Sequence, residues 1–444
     1  MKRREEILTE ERLRYVRKCR NEKREGAFSV IEEEIGKDSA LALRSLYDKF
    51  DEKIYIWFAS LYDKGTGAFY YSESARDTKP YLPDVESTIQ ILKFLERSGM
   101  LSEAGGSAIM RVPSFLREGI IRFVHSLQDE DGYFYHPQWG KNISVSRRGR
   151  DLSWSKNLLA EAGEEPKYLL PTQKSADGKK SVYLPEYLQS LDEFKKYLGE
   201  MDLERNSYYV GNLIESTISQ ITAAGREYEV YLEEWLNLQN RADNGLWEEG
   251  VNYSSVNGLM KLSGSYPHLK VPLPNPEASL RSAITAALSD ERMKFVCEVY
   301  NPWAAITNIF KACGESRGEL SSLKKFLSDN TPLLINKTAE KIDVFKKPDG
   351  SYSYFKYMSS AVSQRAPVAV PRTNEGDVNA TTICVGSTLR SMSAALGIPI
   401  VPIFSPEDGE LFFELLENTA PVTKKYDIGS AFPEKPSYEE EIAE

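Results

Sequence analysis

Three acids in this chain stand in company that suits proton transfer. Asp151 lies in "RRGRDLSWS" with Arg147, Arg148, Arg150 and Trp154, shortly after His136 and Trp139, while Glu375 and Asp377 lie in "NEGDVNATT" just before Asn379. A carboxyl desolvated by its surroundings keeps its proton, and one paired with arginine gives it up, so two acids facing one cavity can divide into acid and base. Such a pair supports glycoside hydrolysis, whereas Tyr or His with Arg suits a lyase. Asp377, Asp151 and Glu375 are therefore the candidate catalytic residues. The candidate substrate-binding residues are His136, Arg150, Trp154, Tyr253, Asn257, Trp303 and Asn379. Tyr253, Asn257 and Lys261 follow at four-residue steps and share one helical face. Trp and Tyr mixed with Asn, Asp and Arg suit a polyhydroxylated ligand, whose ring faces stack while its hydroxyls bond.

The same positions also predict helix caps. Asp84, Asp151 and Asp377, with Asn206, Asn252 and Asn301, stand at predicted helix starts, where their side chains accept hydrogen bonds from unpaired amides. Those starts belong to a regular alternation of six helical pairs. First members are predicted over 39–62, 113–127, 185–201, 227–238, 277–299 and 319–345, and second members over 84–97, 151–162, 207–224, 254–265, 302–312 and 378–396. The second set is rich in small and polar residues, as in "VGNLIESTISQITAAG", and the first set carries the Lys and Glu of a solvated face. Six close-packing helices inside six charged ones make an all-α (α/α)6 toroid, with an open solenoid or two bundles as the alternatives. The unequal spacings argue against a solenoid. In a toroid the inner N-termini gather at one end, so Asp151 and Asp377 are expected there together.

Between the members of a pair the turns repeat a pattern: "GTGAFYY", "QDEDGYFYHPQWG", "QNRADNGLWEEG" and "KKPDGSYSYF" each set Gly shortly before an aromatic ring. Glycine takes the left-handed conformation that ends a helix, and the ring plugs the space between hairpins. Gln128, Asp131, Gly132 and Phe134 resemble the glutamine–tryptophan repeat of terpenoid cyclases and protein prenyltransferases, with Phe for the usual Trp. "GDVNATTICVGSTLRSM" is similar to the acidic motif of class II terpenoid cyclases, Asp-x-Asp-Asp-Thr-Ala, with Asp377 as its first acid and Thr381 as its threonine. The resemblance implies an α/α toroid and a proton donor at the middle acid, but Asn379 and Ala380 occupy the two remaining acidic positions. Prenyltransferases add a zinc site of Asp, Cys and His. Only His125, His136 and His268 are present here, none near a cysteine cluster, so no metal is expected.

Composition narrows the partners. A formal charge of −10 argues against nucleic acid, which calls for a concentrated excess of Lys and Arg. No apolar run reaches a bilayer's thickness, and the N-terminus lacks the apolar core of a signal peptide, so a cytoplasmic protein without a membrane span is expected. Cys19, Cys297, Cys313 and Cys384 form no CxxC pair. No GxGxxG, P-loop, HExxH or GxSxG occurs, and no cofactor is expected. The partner expected is a small-molecule or oligosaccharide ligand. Residues 1–25 read as a charged amphipathic helical extension, 26–421 as one domain, and 422–444 as a disordered acidic tail.

Overall fold

The computed structural model describes residues 2–103, 105–170, 186–313 and 317–429. At 62% helix and 4% strand it is an all-α protein. Helix α1 (Glu10–Ile35) is capped by Thr9 and runs unbroken through the boundary expected at residue 25. Two of its arginines are buried in the fold, Arg20 donating to Glu52 (3.0 Å) and Arg24 to the Phe50 and Ile403 carbonyls. The next helix, expected over 39–62, divides into α2 (Lys37–Tyr47) and α3 (Lys53–Ser60). Phe50 turns into the core there, and Asp51 accepts the Lys53 amide at 2.9 Å to start the second piece.

The pairs then follow in order. Helix α4 (Val85–Arg97) completes the first; α5 (Ser114–Leu127) precedes α6 (Val145–Ala162), and α7 (Leu191–Gly199) precedes α8 (Leu203–Ala224). Next come α9 (Arg226–Gln239) with α10 (Tyr253–Ser263), and α11 (Pro276–Leu288) with α12 (Cys297–Ala312). Helix α13 (Arg317–Asp343) leads to α14 (Val378–Thr382), which passes through a π turn (Ile383–Ser387) into α15 (Thr388–Leu396); α16 (Pro406–Asn418) follows. The second members pack in series: α6 on α4, α4 on α14, α15 on α12, α12 on α10 and α10 on α8. First members meet one another, α2 on α13 and α13 on α11. No helix among the described residues is long and apolar enough to cross a membrane.

The starts of α6 and α12 differ from expectation, and α8 gains a short turn ahead of its expected start. Ser144 caps α6, so Asp151 lies in its second turn and is no cap; Asp202 caps a short leading turn of α8, and Asn206, with non-helical φ and ψ, stands at the kink where the helix expected over 207–224 begins. Pro302 suggested a first turn, yet α12 begins at Cys297 and contains both Asn301 and Pro302, and α11 ends at Leu288 where 299 was expected. Asp84, Asn252 and Asp377 do cap α4, α10 and α14.

Small antiparallel pairs tighten two loops, β1 (Tyr62–Asp63) with β2 (Ala68–Phe69) and, later, β4 (Val362–Ser363) with β5 (Ala366–Pro367). Strand β3 (Thr78–Lys79) pairs in parallel with β6 (Tyr426–Asp427), so residues 422–429 of the expected tail lie along the fold, and Lys424 donates to the Ala75 and Tyr81 carbonyls. Residues 430–444 fall outside the described residues.

The recurring turns explain their own composition. Gly67, Gly132, Gly245 and Gly350 all have φ between 69° and 90°, and Phe69, Phe134, Trp247 and Tyr352 after them are buried. Three of these glycines seat one hairpin on the backbone of another: a Cβ on Gly67 would strike Gly119 in α5, one on Gly245 would strike Ser279 in α11, and one on Gly350 would strike Lys53 and Ile54 in α3. Gly245→Ala should therefore cost about 2–5 kcal/mol, combining left-handed strain with backbone overpacking. Gly149→Ala, in open space on α6, should cost nothing. Urea midpoints of the two variants check this, and equal midpoints would sink it.

Candidate functional site

Arg147, in the first turn of α6, is wholly buried and holds the centre of a charge cluster. Its Nη1 donates to Glu86 Oε2 at 2.6 Å and its Nε to Asp151 Oδ2 at 3.1 Å, while Nη2 stands 3.6 Å from Asp84 Oδ1. Arg150 Nη1 donates to the other Glu86 oxygen at 2.9 Å, and the Ser363 hydroxyl to Oε2 at 2.6 Å. Local geometry accounts for the assembly. Arg147 and Asp151 are one helical turn apart on α6, and Asp84 and Glu86 flank the start of α4, on which α6 packs.

Three carboxylates thus share two guanidiniums, with one negative charge in excess, and only Arg150 reaches solvent appreciably. Charge is costly in so dry a place, and the cluster answers by holding a proton. Burial pushes Asp151 up to about 7 against the pull of Arg147, and raises Asp84 likewise. Burial opposes ionisation of Glu86 as well, but Arg150, Arg147 and the Ser363 hydroxyl outweigh it and hold Glu86 below the usual range. The charges of Glu86 and Asp84 add to burial in raising Asp151. Arg147 Nη2, Asp151 Oδ1 and Ser155 Oγ, at four-residue steps along α6, are buried without a hydrogen-bond partner and keep bonding capacity beside that proton.

Aromatic rings roof the cluster. Trp139 lies 5.1 Å from the Arg147 guanidinium, and His136 stacks on Trp139 with centroids 4.0 Å apart. His136 Nε2 donates to the Pro83 carbonyl (2.6 Å) and Nδ1 accepts the Gln138 amide (3.2 Å), so the ring is neutral, and burial depresses its pKa to about 3. His136 positions the segment leading into Asp84.

Asp377 lies at the same end. Tyr71 packs with Trp139, Val368 and Ala369, and its hydroxyl bonds Asp377, while both Asp377 and Glu86 act on it electrostatically. The caps of the first and last hairpins are built alike. Asp84 accepts the Ser87 amide and Thr88 Oγ1 the Phe69 amide; Asp377 accepts the Ala380 amide and Thr381 Oγ1 the Tyr352 amide. "DVEST" (84–88) and "DVNAT" (377–381) are the sequence form of this repeat, and they put Glu86 where Asn379 stands in the last hairpin. That signal could have found Glu86, which the expected site omitted. Asp377 also takes the Tyr354 amide (2.8 Å) and the Ser360 amide, and burial pushes it up to about 7. With both oxygens occupied it anchors the loop. Glu375, raised by burial, accepts the Ser74 amide and hydroxyl and the Ser359 hydroxyl, tying two loops together.

The β4–β5 hairpin covers this end, through Ser363 on Glu86, the Ser144 hydroxyl on the Gln364 carbonyl (2.8 Å) and Gln138 Nε2 on the Pro367 carbonyl (2.7 Å). Its tip residues Gln364 and Arg365 are both left-handed, with φ of 50° and 68°, where Asn-Gly is the relaxed choice.

Of the remaining expected residues, Arg150 and Trp154 are half-buried on one edge of α6 with a guanidinium–ring distance of 5.4 Å, and Asn379 accepts Gln90 Nε2 (2.9 Å) across α14 and α4. Tyr253, Asn257 and Trp303 lie elsewhere. Tyr253 packs on Lys341, Asn257 accepts from Asn301 at 2.8 Å, and Trp303 donates to Thr338 Oγ1 at 3.0 Å, so each joins neighbouring helices. Two surface depressions, of about 570 and 370 Å³, are both lined in part by Lys2 and Asn418 and share no residue with the cluster. They offer no buried acid beside a base, so the charge cluster is the stronger site. The chain matches no known family model, no curated protein and no solved structure. What defines its class is its own architecture, an all-α protein with an interior carboxylate–arginine cluster.

Stability should fall as pH rises from about 5 to about 7. Asp151 and Asp377, ordinarily at 3.8, and Glu298, ordinarily at 4.5, all sit at about 7 in the fold, so over this window the folded chain binds protons that the unfolded chain has lost. Buried neutral His136 acts oppositely below its ordinary 6.5, one group against three. Urea midpoints across the window measure the slope, and Asp151→Asn should flatten it. A midpoint that climbs with pH would exclude the protonated cluster.

Proposed function

We propose that the chain is an (α/α)6 toroid enzyme of the cytoplasm that works by general acid–base chemistry on a carbohydrate-like substrate, as a glycoside hydrolase or lyase. The serial packing of the second helices supports the toroid, as does the Gly350 turn, which seats the last hairpin on the first. The observation that carries the chemistry is the cluster of Asp84, Glu86 and Asp151 on Arg147 and Arg150, which holds one exchangeable proton near neutrality. A group with that pKa gives and takes protons efficiently at neutral pH. In this reading Asp151, with Asp84, is the acid, and Glu86 is the charged partner that fixes both arginines. Trp154 offers a stacking face, and Arg150, Gln90 and Asn379 offer donors and acceptors for hydroxyls.

Purified protein given a panel of oligosaccharides, unsaturated uronides included, should release reducing ends by hydrolysis, release them with a new ring double bond if it acts as a lyase, or consume the double bond of an unsaturated uronide by hydration. No turnover and no thermal shift with any sugar would overturn the reading. A terpenoid-cyclase-like enzyme has less support, because a hydrocarbon calls for an apolar ring-lined cavity and these inner positions are polar. A binding toroid without catalysis is favoured by one observation, the saturation of Asp377 by four donors. It predicts a thermal shift with no turnover.

A further inference from the structure

One stripe of α4 carries Glu86, Gln90, Lys93 and Arg97 at helical steps. Gln90 bonds Asn379 in the first turn of α14, and Asp84 and Asp377 cap the two helices at one end, so α4 and the α14–α15 helix run side by side in the same sense. Lys93 and Arg97 then lie toward the half of that helix where Arg390 stands. Lys93 and Arg97 are half-buried, with the Lys93 ammonium 5.9 Å over the Trp154 ring, and Arg390 is more open.

These three cations lie within one another's field. After burial, Arg97 and Arg390 are among the groups that depress Lys93, and Arg390 is the largest charge depressing Arg97. No side-chain hydrogen bond or ion pair reaches any of the three among the described residues, whereas buried Arg20, Arg24 and Arg147 each donate to at least one acceptor. The nearby carboxylates pair elsewhere or not at all: Glu96, which acts on Lys93 and Arg97 from a distance, bonds Arg111, Glu215 bonds Lys261, and Glu161 acts on Lys93 with no ion pair between them among the described residues. Tyr300 of α12, bonded to Ser391, faces the same place and feels Arg390. Unanswered like charges repel, and a fold that gathers them has a use for an anion there.

We propose that Lys93, Arg97 and Arg390 form an oxyanion subsite that takes the phosphate, sulfate or carboxylate group of an acidic sugar. Two guanidiniums offer forked donors to such a group, the ammonium adds a point charge, and Trp154 stands ready to stack on the sugar ring. The inference rests on the carbohydrate reading of the same inner face and narrows its substrate to acidic sugars.

Isothermal titration of the full chain with inorganic phosphate, glucose 6-phosphate, glucuronate and glucose tests it. Saturable binding is expected for the anions and none for glucose, with affinity falling as salt is added. The tighter of glucose 6-phosphate and glucuronate names the group. Arg97→Gln and Arg390→Gln should each weaken anion binding roughly tenfold, the equivalent of one charge-assisted hydrogen bond. Neither should lower the melting temperature of the free protein, since each relieves repulsion, and Arg205→Gln, at a side chain 85% exposed, should bind as wild type. No saturable binding by any anion, or undiminished binding in both variants, would overturn the subsite. Anion binding without turnover of any sugar would uphold it and refute the enzyme, whereas turnover of neutral sugars with no anion binding would do the reverse.

Discussion

Arg147→Met loses about 3–5 kcal/mol of stability, the usual result of removing one partner from a buried ion cluster. The guanidinium is wholly buried and serves three carboxylates, so its removal leaves Asp84, Glu86 and Asp151 in a dry interior with Arg150 alone, which touches only Glu86. Methionine fills much of the space but answers no charge. The loss should shrink as pH is lowered from 8 toward 5, because the stranded carboxylates can then take up protons. Arg150→Met should cost about 1 kcal/mol or less, since its side chain is 39% exposed and Glu86 keeps its bond to Arg147. Denaturant midpoints at the two pH values check both claims. A variant of Arg147 as stable as that of Arg150, or a loss that grows in acid, would mean that the cluster does not organise this end of the fold.

Much of the helical order was legible because it is local. A change from charged to small residues marks the second members of the pairs, and glycine before an aromatic ring marks the turns. The starts of α4, α10 and α14 were legible for the same reason, since Asp84, Asn252 and Asp377 are each the nearest capping residue upstream. At α6 and α8 two capping residues compete a few positions apart, and local preference cannot rank Ser144 against Asp151 or Asp202 against Asn206. The partners in the site were harder to read. Glu86 and Arg147 are 61 residues apart and meet only because α6 packs on α4. His136 was legible as a polar group in aromatic company, but not as a neutral ring held between Pro83 and Gln138, because its depressed pKa comes from burial. The acidic motif at Asp377 was read correctly as a helix start. Its first acid and threonine recur in the cap at Asp84 and Thr88, so those two residues make hairpin geometry common to both ends of the chain.

That repeat separates Asp377 from Asp151 in function. Near neutral pH Asp151 carries its proton much of the time, and Asn matches a protonated carboxyl in size and still accepts from Arg147, so Asp151→Asn should fold with little loss. It cannot release a proton, however, and turnover should drop by about 10²–10⁴, the range that one general acid supplies. Asp377→Asn should behave the other way round. Its two oxygens accept separate backbone amides, from Ala380 and Tyr354, and the amide of Asn can accept only one of them. The other is left facing an NH₂ group, at about 1–3 kcal/mol, while turnover per folded molecule stays near wild type. Rates measured beside urea midpoints for the two variants make the distinction. If Asp377→Asn abolished turnover and Asp151→Asn did not, the proton would belong to the last hairpin, and the carboxylate–arginine cluster would be a structural pin.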